Sequence, residues 1–194
     1  MKVLIFSLLI AVVACSEINP TCFTAGLTDG SCDWYKDCLQ VAYDCPATGY
    51  NAYPLGYGYF YCSKFMTNIS LYPPQAQEWI ENTLVCLKVA LKEPFYDKAA
   101  LGDDISCATL TNEAFSSHPE CYVQSGFCQL WTEQSLEDRV KTAWALHDTY
   151  DLSTFMNVRS VKQVVETLEN CVENGVDRDL IDPIIHILEG DSEQ

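Results

Sequence analysis

Basic residues are scarce in this chain. Lys and Arg number 11 against 27 Asp and Glu, a formal charge of −16. A face able to displace counterions from nucleic-acid phosphates is therefore excluded, as is attraction to anionic membrane surfaces. Histidine is scarcer still, limited to His118, His147 and His186. No G-x-S-x-G, H-E-x-x-H, P-loop or G-x-G-x-x-G occurs, so nothing sets a nucleophile beside its base. We expect no enzyme, no catalytic residue and no cofactor. A D-x-[DN]-x-[DN]-G calcium loop is also missing. Asp103, Asp104, Glu166, Glu169 and Glu173 are scattered, and read as a solvated acidic surface rather than a weak calcium-associating one. Beyond the N-terminal run, no apolar stretch approaches membrane length.

What is present begins with MKVLIFSLLIAVVAC, a lysine, an apolar run and small residues, which reads as a secretory signal peptide over residues 1–15. Cleavage after Ala14 and after Cys15 both fit. VVAC also fits a lipobox, in which Cys15 becomes an acylated N-terminus. The remaining 16–194 reads as one domain large enough to bury a core, secreted and extracellular. Of 11 cysteines, ten remain once Cys15 leaves with the signal, which predicts about five intrachain disulfides. Zinc is the competing use. The closest cysteines (Cys32 and Cys38, Cys38 and Cys45, Cys121 and Cys128) lie five or six residues apart rather than two to four, so no metal is expected.

The periodicity is helical. In PQAQEWIENTLVCLKVAL, Pro74 to Leu91, the residues Ala76, Ile80, Thr83, Leu84, Leu87 and Leu91 form one apolar stripe. Pro74 suits the first turn and Pro94 predicts the stop. Shorter helices are predicted over Cys32–Tyr43, with Trp34, Cys38, Leu39 and Val41 or Ala42 inward, and over Tyr59–Ile69. Others follow over Ile105–Phe115 and Cys121–Phe127, parted by a break at Ser117-His118-Pro119. Ser135 to Asp138 resembles a capping box opening a helix to about Tyr150. Val161, Val164, Val165, Leu168, Cys171 and Val172 make another strong stripe. Asp182-Pro183 is expected to open a last short helix, Ile184–Leu188, stopped at Gly190. No strand alternation is sustained, so the fold class is all-α, a compact disulfide-rich helical domain.

Residues 46–58 carry Pro, Gly and Tyr in quick succession and read as a loop. Its Tyr50, Tyr53 and Tyr57, with Tyr59 and Tyr61 just after, are either packing over a small core or a surface for glycan or protein. Asn68-Ile69-Ser70 is an acceptable glycosylation sequon, whereas Asn19-Pro20-Thr21 is barred by its proline. His118 is expected to cap or bridge a helix break. His186, between apolar residues, is expected in the core or an interface. His147-Asp148 is similar to the His-Asp pair of secreted phospholipases A2, but Ala143-Trp144 stands where their double cysteine belongs.

From Cys62 onward the cysteines are separated by 23, 20, 13, 6 and 42 residues. With Leu39-Gln40-Val41 beside Cys38, Cys62-Ser-Lys-Phe, Glu-Cys-Tyr around Cys121, Leu-Glu-Asn-Cys at Cys171 and His186-Ile187-Leu188, this ladder resembles the stanniocalcins. These are secreted glycoprotein hormones sharing the gaps of 23, 13 and 6. The resemblance runs from Cys22 to Asp191. It implies the pairs Cys22–Cys38, Cys32–Cys62, Cys45–Cys107, Cys86–Cys121 and Cys128–Cys171. It also implies a glycan on Asn68 and action by binding an unidentified extracellular partner or receptor, in calcium and phosphate homeostasis or protease regulation. The alternative is a disulfide-rich secreted binding or defence protein that recognises lipid or glycan. The family's extra C-terminal cysteine has no counterpart here, so no covalent dimer is expected. Ile184, Ile185, Ile187 and Leu188 either close the core or leave a surface for weak self-association.

Overall fold

The computed structural model describes residues 22, 25–28, 30–100, 105–150 and 158–191. Among them all regular structure is helical, and five disulfides brace it, so the protein is an all-α, disulfide-rich fold. The helices are α1 (Ala25–Thr28), α2 (Gln40–Tyr43), α3 (Phe60–Asn68), α4 (Pro74–Leu91) and α5 (Lys98–Ala100). They continue with α6 (Cys107–Ser116), α7 (His118–Gln124), α8 (Phe127–Thr132), α9 (Leu136–Thr149), α10 (Val158–Glu173) and α11 (Arg178–Asp191). The signal segment and Cys15 lie outside the described residues, as do Asp103 and Asp104. No helix among the described residues is long and apolar enough to cross a membrane.

The α4 helix is the axis of the fold. Pro74 occupies its first turn, where a missing N–H leaves nothing unpaired. The whole predicted stripe is buried, joined by Trp79 and Lys88. Each buried Leu or Ile on it contributes on the order of 1.5–3 kcal/mol. Lys88 continues the Leu84 row by one turn and donates to the Ser31 carbonyl at 2.9 Å. Helices α1, α6, α7 and α8 pack on α4; α3 packs against α9, and α10 lies along α7 and α11.

Helix starts follow the local chemistry. Ser106 accepts from the Thr109 N–H at 3.1 Å and opens α6. Ser135 accepts from the Asp138 N–H at 3.1 Å and opens α9. The Ser135 hydroxyl in turn donates to the Asp138 carboxylate at 2.9 Å, so the Ser135 N-cap forms, with a side-chain bond in place of the capping box's return bond to the Ser135 N–H.

Several expectations need correction, and the commonest cause is π-helical backbone, wider than an α-turn. It occurs at Tyr35–Leu39, Tyr53–Tyr59 and Lys92–Asp97. The first rotates the Cys32–Tyr43 segment, so Tyr35 joins Trp34, Cys38 and Leu39 inside, while Val41 (65% exposed) and Ala42 face outward. The second replaces the end of the predicted loop. Helix α4 ends at Leu91 as expected, but the third continues the helical path in widened form, with Pro94 inside the turn that leads into α5. The expected break between α6 and α7 is present but narrows to Ser117. Pro119 lies at the start of α7, the turn falls at Ser117, and Gly126 (φ +106°) divides Cys121–Phe127 between α7 and α8. Helix α11 starts at Arg178 rather than near Ile184, because the Asp177 side chain accepts from the Asp179 N–H at 3.0 Å. Pro183 and Gly190 fall inside it.

Candidate functional site

The tyrosines of residues 50–61 turn largely inward. Spaced four apart on wide-then-normal helical backbone, Tyr53, Tyr57 and Tyr61 form one ridge. The first two rings stack at 5.8 Å, and the second and third lie 4.7 Å apart. Tyr50 is exposed and Tyr59 half-buried. Across from the ridge, α6 and α7 present Phe115, His118 and Tyr122, with the His118 and Tyr122 rings stacked at 5.6 Å and 8°. Tyr150, just past α9, packs on Tyr61 at 5.2 Å, and Tyr35 packs edge-on to Tyr53 at 6.2 Å. Trp79, Ile80, Thr83, Leu84 and Leu87 of α4 add to the lining, with Gly58, Cys62 and Phe65. These walls enclose a cavity of about 40 Å³, measured as the space open to the centre of a water molecule.

Hydrogen bonding in this cluster has a direction. The Gln163 amide nitrogen lies 2.8 Å from the Phe115 carbonyl, which only accepts, so that nitrogen carries the protons. The same nitrogen lies 2.8 Å from His118 Nδ1, making Nδ1 an acceptor and placing the ring proton on Nε2. Nε2–H then donates to Tyr53 Oη at 3.3 Å, and the Tyr53 proton turns toward Tyr35. Burial lowers the His118 pKa from 6.5 to about 3, so the imidazole is neutral. Burial likewise raises Tyr35, Tyr53, Tyr57 and Tyr122 above the ordinary phenol value, and pushes Tyr150 up to about 12. Tyr57 and Tyr122 both direct their hydroxyls to Tyr150. The site therefore offers uncharged hydrogen-bonding groups and aromatic faces, with neither an anion nor a cation among its lining residues.

The ten cysteines from Cys22 to Cys171 are joined as Cys22–Cys38, Cys32–Cys62, Cys45–Cys107, Cys86–Cys121 and Cys128–Cys171. These are the pairs that the stanniocalcin resemblance implies. No family model, no curated protein and no solved structure matches this chain.

The remaining candidates are dispersed. Asn68 is half-buried at the end of α3, its amide 3.4 Å from the Thr149 hydroxyl. His118 opens α7 just after the break at Ser117 and is buried in the aromatic cluster. His147 and Asp148 are exposed on α9, the histidine ring edge-on to Trp144 at 6.0 Å. His186 lies on α11 and is exposed rather than part of the core. Ile185 is half-buried, and the side chains of Ile184, Ile187 and Leu188 lie outside the described residues. Among the described residues no group of His, Cys, Asp or Glu is arranged to hold a metal ion.

Sequence reasoning missed two features. One is the assembly of the inward tyrosines, for which packing was one of the two expectations, with Phe115, His118, Tyr122 and Tyr150 around a cavity; its only local signal is the four-residue spacing of Tyr53, Tyr57 and Tyr61. The other is a ridge on α9, where Leu136, Val140 and Trp144 recur every four residues and are 75%, 49% and 68% exposed. The opposite face of the helix is the one that packs, through Thr142, Ala145 and Thr149. Beside the ridge Glu137 and Lys141 pair at 2.7 Å, so each compensates the other's charge.

Proposed function

We propose that this chain is a divergent stanniocalcin-like glycoprotein, secreted and acting by binding, as an extracellular signal or regulator. One observation carries the reading: the five cysteine pairs are those of the resemblance, out of roughly 900 ways to pair ten cysteines. Disulfides in this number belong to an oxidising compartment, which supports secretion. A glycan on Asn68 and a role in calcium and phosphate handling or protease regulation rest on the sequon and the resemblance.

The α9 ridge is the surface best suited to a partner. An aligned Leu, Val and Trp on an outward helix face is the anchor pattern of helix-in-groove recognition. Two copies of a chain with charge −16 repel each other. The partner that fits is therefore a different protein, with an apolar groove rimmed by basic residues. The alternative of a tyrosine-rich surface for lipid or glycan is weakened by the burial of Tyr53 and Tyr61.

Affinity capture from extracellular fluid, with purified secreted protein as bait, tests this reading. The expected result is a protein partner held by the wild type and lost with Trp144→Ser, whose circular dichroism and melting temperature stay unchanged. Purified material that instead carries lipid or glycan, turns over esters, or retains its partner equally well as Trp144→Ser overturns the reading or its surface.

A further inference from the structure

The aromatic cavity is walled by groups that hydrogen-bond without bearing charge, and this restricts what it can hold. An ion entering it would lose hydration and gain no counter-charge. Size is a second restriction. The cavity measures about 40 Å³, against about 150 Å³ for an apolar cavity that takes up benzene. In this measure one water needs about 10–15 Å³, so the guest has the size of about three waters, or of a small alcohol.

Thr83 supplies an independent indication. It is buried on α4 in the cavity wall, and its Oγ1 has no hydrogen-bond partner among the described residues. A buried hydroxyl left unmet is destabilising, and its neighbours Ile80 and Leu84 show that an apolar side chain suits this face. On other parts of the wall Tyr57 and Tyr122 direct their hydroxyls to Tyr150.

We propose that the cavity is a binding site for a small uncharged hydroxyl compound, water or an alcohol of similar size. The guest sits between Thr83 Oγ1 and the phenol hydroxyls of Tyr57, Tyr122 and Tyr150. A hydroxyl guest both donates and accepts, which suits walls whose polar groups do the same. Aromatic faces around it accommodate the carbon end of an alcohol.

The test uses the full secreted chain. Magnetisation transfer from water is read at the Thr83 methyl group, in plain buffer and with increasing ethanol, alongside melting curves of Thr83→Val and Thr83→Ser. The expected result is a buried-water signal at Thr83, a lower melting temperature for Thr83→Val, and a value near wild type for Thr83→Ser. Loss of the water signal on adding ethanol, with shifts confined to the cavity rings, identifies an alcohol as the preferred guest. Persistence of the signal identifies water. No signal from either guest at Thr83 in the wild type overturns the proposal. So does a Thr83→Val protein that melts at or above the wild-type temperature, because the hydroxyl is then an uncompensated defect in a dry cavity.

Discussion

His118 illustrates how a single side chain is specified by contacts that lie far away in the chain. Its partners Gln163 and Tyr53 are 45 and 65 residues distant, so the local Ser-His-Pro context suggested only a helix break. Buried and hydrogen-bonded as the neutral tautomer, it makes stability depend on pH. Its pKa is 6.5 when solvated and about 3 when folded. Below the solvated value the unfolded chain takes up a proton that the folded chain refuses. The stabilisation is therefore complete above pH 6.5 and drains away as pH falls toward 3, at about 1.4 kcal/mol per pH unit. Urea unfolding at neutral pH and at about pH 5 checks this: the wild type should lose about 2 kcal/mol more than His118→Gln. Equal losses would exclude His118 as the source. The tyrosines of the same cluster were visible as a composition, but which of them face inward depends on backbone geometry that no single residue announces.

At the scale of elements, legibility follows helical period. The α4 stripe repeats at three- and four-residue steps on regular backbone, and every predicted inward position is buried. The Ser135 cap was legible for a similar reason, since its partner lies only three residues on. The π-helical segments broke that logic, misplacing Val41 and Ala42 and hiding the course of the chain through Pro94. They also demand particular residues. A Cβ added at Gly58 would stand 2.6 Å from the buried Tyr35 ring, whose neighbours Trp34 and Tyr53 are themselves fully packed. Gly58→Ala should therefore cost about 1–3 kcal/mol, the usual penalty for overpacking. A thermal melt matching the wild type would show that the π segment and Tyr35 can separate freely.

For the whole molecule, helical periodicity without sustained strand alternation indicated the all-helical fold, and cysteine number indicated the cross-links. The connectivity was legible only through the stanniocalcin resemblance, because cysteine spacing by itself permits many pairings. The acidic charge excluded classes of partner without naming one. The α9 ridge escaped notice because Leu136, Val140 and Trp144 look like an ordinary buried stripe until the packing of the opposite face is known. In the chain-entropy view, the 62-residue separation of Cys45 and Cys107 makes that bond a large contributor, about 4 kcal/mol.

The same pairing gives the molecule a single seam. Cys22–Cys38 overlaps Cys32–Cys62, which overlaps Cys45–Cys107, which in turn overlaps Cys86–Cys121. Like interlinked rings, these hold together any backbone cut once between residues 22 and 121. The ring Cys128–Cys171 stands apart, joined to the others only by the peptide chain from Tyr122 to Phe127, with Gly126 at its bend. A protease that nicks one bond there should release two pieces on a non-reducing denaturing gel. A single nick upstream, anywhere from Cys22 to Cys121, should leave one band until a reductant is added. Two bands from an upstream nick alone would mean that the rings are linked in some other order.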